Sequence, residues 1–176
     1  MKGGMAVIRG KFLTSMDDIS QIIALRRSVF CDELGLPAEG EPDENDAMAV
    51  YALAYAEDGT PIATGRMYIA DDRFNIGKVC VLKPLRRMQI GDFVMRMLLY
   101  RAQDLNAGSV SLTCPAEYVP FFTRYGFRPQ GEAFEENGCI CRRLFVAGDR
   151  IDIEGTCSCH KKCGDCGGDC GECANG

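Results

Sequence analysis

Residues 75–105 constrain the fold more than any other part of the chain. Asn75-Ile76-Gly77-Lys78-Val79-Cys80-Val81-Leu82 is apolar and partly β-branched, the composition of a buried strand. Lys83-Pro84-Leu85 ends it, because Pro84 fixes φ and donates no hydrogen bond. Past Arg86-Arg87-Met88-Gln89-Ile90-Gly91-Asp92, the residues Val94, Met97, Leu98, Ala102 and Leu105 fall on one stripe of an amphipathic helix. A loop with two arginines and a glycine, opening a helix directly after a strand, suits a polyphosphate. The helix start offers unpaired N–H groups and about half a positive charge. The same pattern also fits a basic turn that faces water. It is not a Walker loop, since no second glycine is followed by Lys-Ser/Thr, and Gly91 stands alone, which makes no dinucleotide fingerprint.

The rest of the chain arranges itself around that unit. Residues 6–13 read as a first strand. Ser15 with Asp18 resembles a capping box, which predicts a helix starting there, with Ile19, Ile22, Ile23, Phe30 and Leu34 near one face and Gly35-Leu36-Pro37 as its end. Residues 48–56 and 62–70 are strands joined by Glu57-Asp58-Gly59-Thr60, a hairpin signal. Asp71-Asp72-Arg73 turns the chain into the strand described above. Residues 109–113 form a fifth strand which, reached through a helical crossover, runs parallel to its predecessor. Two such neighbours that splay at their carboxyl ends leave a ligand cleft. A short helix over 116–125 with Gly126 as its cap, then strands over 127–134 and 139–146, complete the order βα-βββ-αβ-αββ.

Composition narrows the function classes. At 176 residues and 47% apolar, the chain supports one domain with a real core plus a small appendage. A net charge of -5 argues against general nucleic-acid binding. The longest apolar run, 47–56, is ten residues and too short to cross a bilayer, and Met1-Lys2-Gly3-Gly4-Met5 has no hydrophobic signal core. The expectation is a cytoplasmic protein, monomer or homodimer, with no membrane and no nucleic-acid partner. The acidic run Glu39, Glu41, Asp43, Glu44 and Asp46 either draws a cationic substrate to a site or keeps a loop soluble.

Val79-Cys80-Val81 followed by Arg86-x-x-Gln89-x-Gly91 resembles the acyl-CoA-binding motif of the GNAT superfamily of N-acetyltransferases. That loop usually reads Arg/Gln-x-x-Gly-x-Gly/Ala, so Gln89 stands where the family has its first glycine. Phe121-Phe122-x-x-Tyr125-Gly126-Phe127-x-Pro129 is similar to the family's Phe-Tyr-x-x-x-Gly-Phe. The resemblance covers residues 7–146. It implies an α/β (α+β) GNAT fold: a mixed, mostly antiparallel sheet, a splayed parallel pair made by the fourth and fifth strands, and helices on both faces. It further implies direct acetyl transfer from acetyl-CoA to an amine, either of a small molecule or of a protein N-terminus or lysine. In that family main-chain N–H groups of the splayed strand polarise the thioester, which points to Val79, Cys80 and Val81. Arg86, Arg87, Met88, Gln89, Ile90, Gly91 and Asp92 would hold the pyrophosphate. The family's usual acid is the tyrosine of Phe-Tyr, replaced here by Phe122. Tyr118, one helical turn earlier, is the candidate substitute, and Glu117, Glu33 and Asp72 are candidate bases. Cys80 and Cys114, near strand ends, raise the alternative of a covalent thiol nucleophile.

The last residues are of another kind. Cys157, Cys159, His160, Cys163, Cys166, Cys170 and Cys173 are interleaved with glycine and charge and have almost nothing apolar to bury. Thiolates at such spacing wrap soft metals, zinc first, with a copper(I) or iron–sulfur site or a metal-free thiol tail as alternatives. The expected organisation is a domain over 1–150, a linker over 151–156 and a metal-binding tail over 157–176. Three functions follow: an N-acetyltransferase, a catalytically impaired acyl-CoA sensor, or a thiol-rich metal or redox protein.

Overall fold

Strands joined by a tight hairpin pair antiparallel, and parallel neighbours need a crossover connection such as a helix. The computed structural model describes residues 7–154 and obeys both rules. Its sheet runs β1 (Arg9–Thr14), β2 (Val50–Tyr55), β3 (Pro61–Ala70), β4 (Arg73–Val81), β5 (Ser109–Pro115), β7 (Cys139–Ala147), β6 (Arg128–Glu136). Each neighbouring pair is antiparallel except β4 with β5. The two-residue turn between β3 and β4 places Asp71 and Asp72 at φ +51 and +55, the backbone a tight hairpin demands.

α2 (Ile90–Asp104) covers one face of the sheet. Val94, Met95, Leu98, Leu99 and Ala102 are fully buried against Ala52, Ala63, Met67, Ile76, Val110 and Leu144. The buried stripe is wider than the periodicity predicts and ends earlier, since Leu105 is 42% exposed. The helix lies close: a Cβ on Gly65 of β3 would sit 2.9 Å from Leu98.

The other face is covered by α1 (Ser20–Arg26), which continues into a π-helix, Arg27–Glu33. Ile22 packs on Leu13, Tyr51 and Leu53, and Leu25 and Val29 pack on Cys80. The expected capping box is absent: Ser15 lies in a turn, α1 starts five residues later, and no side chain caps it. Asp17 instead accepts from the Thr14 backbone N–H, and Asp18 from that of Ser20, so both acids serve the turn. A true capping box occurs at Asp43 and Asp46, in the acidic run.

α3 (Val119–Thr123) follows β5 after a 3-10 turn. Gly126, at φ +92, is required there, because a Cβ would lie 2.3 Å from the Arg150 carbonyl oxygen. Residues 151–154 fold back on the body. Ile151 is buried, and Arg96 and Gln103 of α2 donate to the carbonyls of Ile153 and Ile151. The cysteine tail, residues 157–176, lies outside the described residues. Among the described residues no cluster of His, Cys, Asp and Glu is placed to hold a metal, and no helix is long and apolar enough to cross a membrane.

Candidate active site

β4 and β5 share only three residue pairs, Phe74↔Val110, Asn75↔Ser111 and Ile76↔Leu112. Beyond Ile76 the strands part. At that point Lys78 adopts φ +52 and the pairing of β4 with β3 shifts register, from Arg66↔Gly77 to Thr64↔Cys80. A bulge of this kind bends one strand away from its neighbour and frees main-chain groups from the ladder. Val79, Cys80 and Val81 thus form one wall of a cleft and Thr113, Cys114 and Pro115 the other. The parallel pairing is what the crossover topology predicts, and the splay is what the family resemblance implies.

The loop after β4 leads to the start of α2. Lys83–Leu85 make a 3-10 turn, and Arg87 and Gln89 both stand in the left-handed region, at φ +64 and +60. Gln89, the residue in the family's glycine position, is the N-cap of α2 and caps it with no side-chain hydrogen bond. The first backbone bond of the helix runs from the Phe93 N–H to the Gln89 carbonyl at 3.0 Å. The N–H groups of Ile90, Gly91 and Asp92 therefore point out of an uncapped helix end, the arrangement that binds phosphate. Gly91 leaves space: a Cβ there would make ordinary contacts, 3.5 Å from Val81 and 3.7 Å from Phe121. Ile90 is buried in the core, Met88 is 54% exposed, and Arg87 is exposed. Arg86 is already engaged. It clasps Glu33 with two bonds of 2.7 Å and donates Nε to the Val81 carbonyl at 3.1 Å. Its free partner for a phosphate is thus Arg87.

That clasp decides among the candidate bases. The Arg86 hydrogen bonds hold the Glu33 carboxyl below its ordinary range, which makes Glu33 a weak proton acceptor. Asp72 lies in the β3–β4 turn, at the other end of β4 from the cleft. Glu117 stands exposed in the turn after β5, beside Tyr118.

Burial sorts the aromatic and thiol side chains near the cleft. Phe122 is 8% exposed and stacks edge-on with Phe121 and Phe127, so it fills the core behind the cleft. Tyr125 is fully buried and donates its OH to Asp92 at 2.5 Å. Tyr118 is 52% exposed in the turn after β5. Partial burial, then the Glu117 carboxylate, push its phenol above the ordinary value, and Arg86 and Glu33 both lie within its electrostatic reach. It therefore keeps its proton at neutral pH. Burial pushes the Cys80 thiol up to about 12 and the Cys114 thiol up to about 11. Neither is a thiolate at neutral pH, so neither fits the role of a covalent nucleophile.

Sequence reasoning missed the ionic cluster beneath α1. Arg26 is fully buried and bonds Asp46 through both terminal nitrogens, at 2.7 and 3.1 Å, and pairs with Glu41. Arg66 of β3 holds Asp43 at 2.6 Å and Asp46 at 2.8 Å. Lys78 pairs with Glu41, and Tyr51 donates to Asp46 at 2.9 Å. Burial pushes the Asp46 carboxyl up, but the Arg26 and Arg66 bonds outweigh it and hold it well below the usual carboxylate range. Three of the five acids in the run are therefore spent on internal cations, and only Glu39 and Glu44 remain exposed. The signal in the sequence was Lys78 itself, a charge after a glycine within a buried strand.

Known proteins share this arrangement. The sequence profile of the acetyltransferase (GNAT) domain matches residues 41–143. The Bacillus subtilis (strain 168) protein described as "Uncharacterized N-acetyltransferase YjcF" is 30% identical over 117 residues, covering 66% of this chain and 82% of that one. Among solved structures, an acyl-CoA N-acyltransferase from Pseudomonas aeruginosa superposes with a TM-score of 0.74 at 22% identity, covering 80% of this chain and 100% of that one. Escherichia coli ElaA does so with a TM-score of 0.70 at 26% identity, covering 79% and 99%. The parted β4/β5 pair, the loop into α2 and the matched profile agree, and the chain belongs to the GNAT family of acetyltransferases.

Proposed function

We propose that this N-acetyltransferase carries the acetyl group of acetyl-CoA directly to an amine, of a small molecule or of a protein N-terminus or lysine. One observation carries the reading: β4 runs on past its last pair with β5, through Val79, Cys80 and Val81, and leads by a short loop to the uncapped start of α2. The α2 N–H groups of Ile90, Gly91 and Asp92, with Arg87, hold the pyrophosphate. The amine sheds a proton to Glu117 or to water, and its nitrogen attacks the thioester carbon. Negative charge grows on the carbonyl oxygen, where main-chain N–H groups of Val79, Cys80 and Val81 stabilise it. The C–S bond then breaks, Tyr118 donates its proton to the leaving thiolate, and the nitrogen, cationic since the attack, gives up its second proton to water, from which the phenol is restored. The raised phenol supports an acid rather than a base role for Tyr118.

The test is release of free CoA thiol from acetyl-CoA across a panel of polyamines, amino acids and peptides. Turnover with any member supports the reading. A second reading has a specific motive: Phe122 occupies the family's acid position and is buried, and the Tyr125 hydroxyl is committed to Asp92. On that reading the protein binds acyl-CoA and does not turn it over. CoA binding with silence across the panel would select it.

The same proposal extends to surroundings. The five described body cysteines are free thiols, which supports a reducing, cytoplasmic setting, with a monomer or homodimer as the working unit. The spacing of the cysteines and His160 in residues 157–176 supports bound zinc. Elemental analysis of the full chain, before and after removal of that tail, checks it.

A further inference from the structure

The strand that would present donors to the thioester contains a strained residue. Lys78 has a left-handed backbone, which is strained for a residue with a Cβ and persists only where the surroundings over-determine it. Here they do. The Lys78 ammonium pairs with Glu41, whose side chain is 2% exposed, donates to the Gly40 carbonyl at 3.3 Å, and lies 5.4 Å from the centre of the Phe30 ring. Glu41 in turn pairs with Arg26 of α1, and Arg26 reaches Arg66 of β3 through Asp46. The bulge is therefore tied by side-chain charge to α1 below it and to β3 beside it. Lys78 lies just past the last β4/β5 pair and inside the register shift with β3, and Val79 and Cys80 follow it directly.

We propose that Lys78 is a positioning residue for acyl transfer: clamped on Glu41, it holds the β4 bulge in the shape that aims the main-chain donors of Val79, Cys80 and Val81 into the cleft. The inference rests on the acyl-CoA reading of the site. A glycine at this position adopts the same backbone without strain, but it carries no tether, so the bulge would sample other shapes. The clamp also gives Glu41 a use unrelated to attracting a cationic substrate: its carboxylate is consumed in placing the strand.

The experiment is direct and needs no known acceptor. Full-length wild type, Lys78→Arg, Lys78→Met and Lys78→Gly are titrated with CoA by calorimetry. Each is then saturated with acetyl-CoA labelled with carbon-13 at the carbonyl, and the carbonyl stretch is read by difference infrared spectroscopy. Wild type is expected to move the stretch to lower frequency than in free acetyl-CoA, the signature of a polarised carbonyl. Lys78→Arg keeps most of that shift, while Lys78→Met and Lys78→Gly lose at least about half of it, with CoA affinity within about twofold of wild type in all three. The glycine variant removes the backbone strain, so it guards against misfolding of the methionine variant. An unchanged carbonyl shift in Lys78→Gly overturns the clamp. So does a loss of CoA affinity of about tenfold or more in both uncharged variants, which would make Lys78 a general scaffold residue. Wild type that binds no CoA instead refutes the acyl-CoA reading itself.

Discussion

The two faces of the sheet are held differently. Under α2 the contacts are apolar throughout, with Val94, Met95, Leu98 and Leu99 fully buried on alanines, Ile76 and Val110. Under α1 the apolar contacts of Ile22, Leu25 and Val29 adjoin an ionic patch of similar depth, built from Arg26, Arg66, Lys78, Glu41, Asp43 and Asp46. Apolar burial is non-directional and tolerates small shifts, whereas buried charges are satisfied only in one geometry. Buried ion pairs add little net stability but are costly to break, and this set lies beneath the strand on which the proposed chemistry depends.

That contrast is open to attack. Removing one member of the ionic set leaves its partners buried and under-compensated, so Arg26→Met should cost about 3–5 kcal/mol in urea unfolding. Leu98→Ala, on the apolar face, should cost about 2–5 kcal/mol by opening a cavity. Their pH dependence should separate them. Asp46 is held below its unfolded value, so its contribution is present above about pH 4 and is lost as pH falls through the folded value. The penalty of Asp46→Asn should therefore shrink between neutral pH and about pH 3, while that of Leu98→Ala stays constant. A constant Asp46→Asn penalty would mean that the ionic face contributes no charge-specific stability.

On the cleft side the effects are smaller in energy and larger in function. Tyr118→Phe should lower kcat by about a hundredfold with KM for acetyl-CoA little changed, if the phenol serves the leaving thiolate. An unchanged kcat would leave the proton to water. The smallest expected effect is at the loop. Gln89 carries a left-handed backbone with a Cβ, so Gln89→Gly should raise stability by up to about 1 kcal/mol, visible as a rise in Tm of about 2–4 °C.

The same contrast explains what the sequence made legible. The α2 face announces itself by spacing, because each buried residue lies three or four positions from the next. The β3–β4 turn, the parallel pair and the loop into α2 follow from local chemistry and from connection rules. The ionic face has no period. Arg26 meets Asp46 twenty residues on, and Glu41 meets Lys78 after thirty-seven, so the acids read as a solvated loop. The sequence offers Arg86 and Arg87 alike as phosphate ligands, and nothing local reveals that Glu33, fifty-three residues from Arg86, pairs with it. Ser15 and Asp18 matched a capping pattern, but Asp17 and Asp18 bind the turn and displace the helix start to Ser20. Local patterns were legible, and long-range charge pairs were not.

In the proposed site the uncapped start of α2, reached through Gly91, grips the diphosphate of coenzyme A. Calorimetric titration of CoA into wild type and Gly91→Leu measures it most directly. The account predicts a saturable heat with one CoA per chain, and affinity at least about tenfold weaker in Gly91→Leu, with the circular dichroism spectrum unchanged. No heat in wild type, or equal affinity in the two proteins, would contradict it.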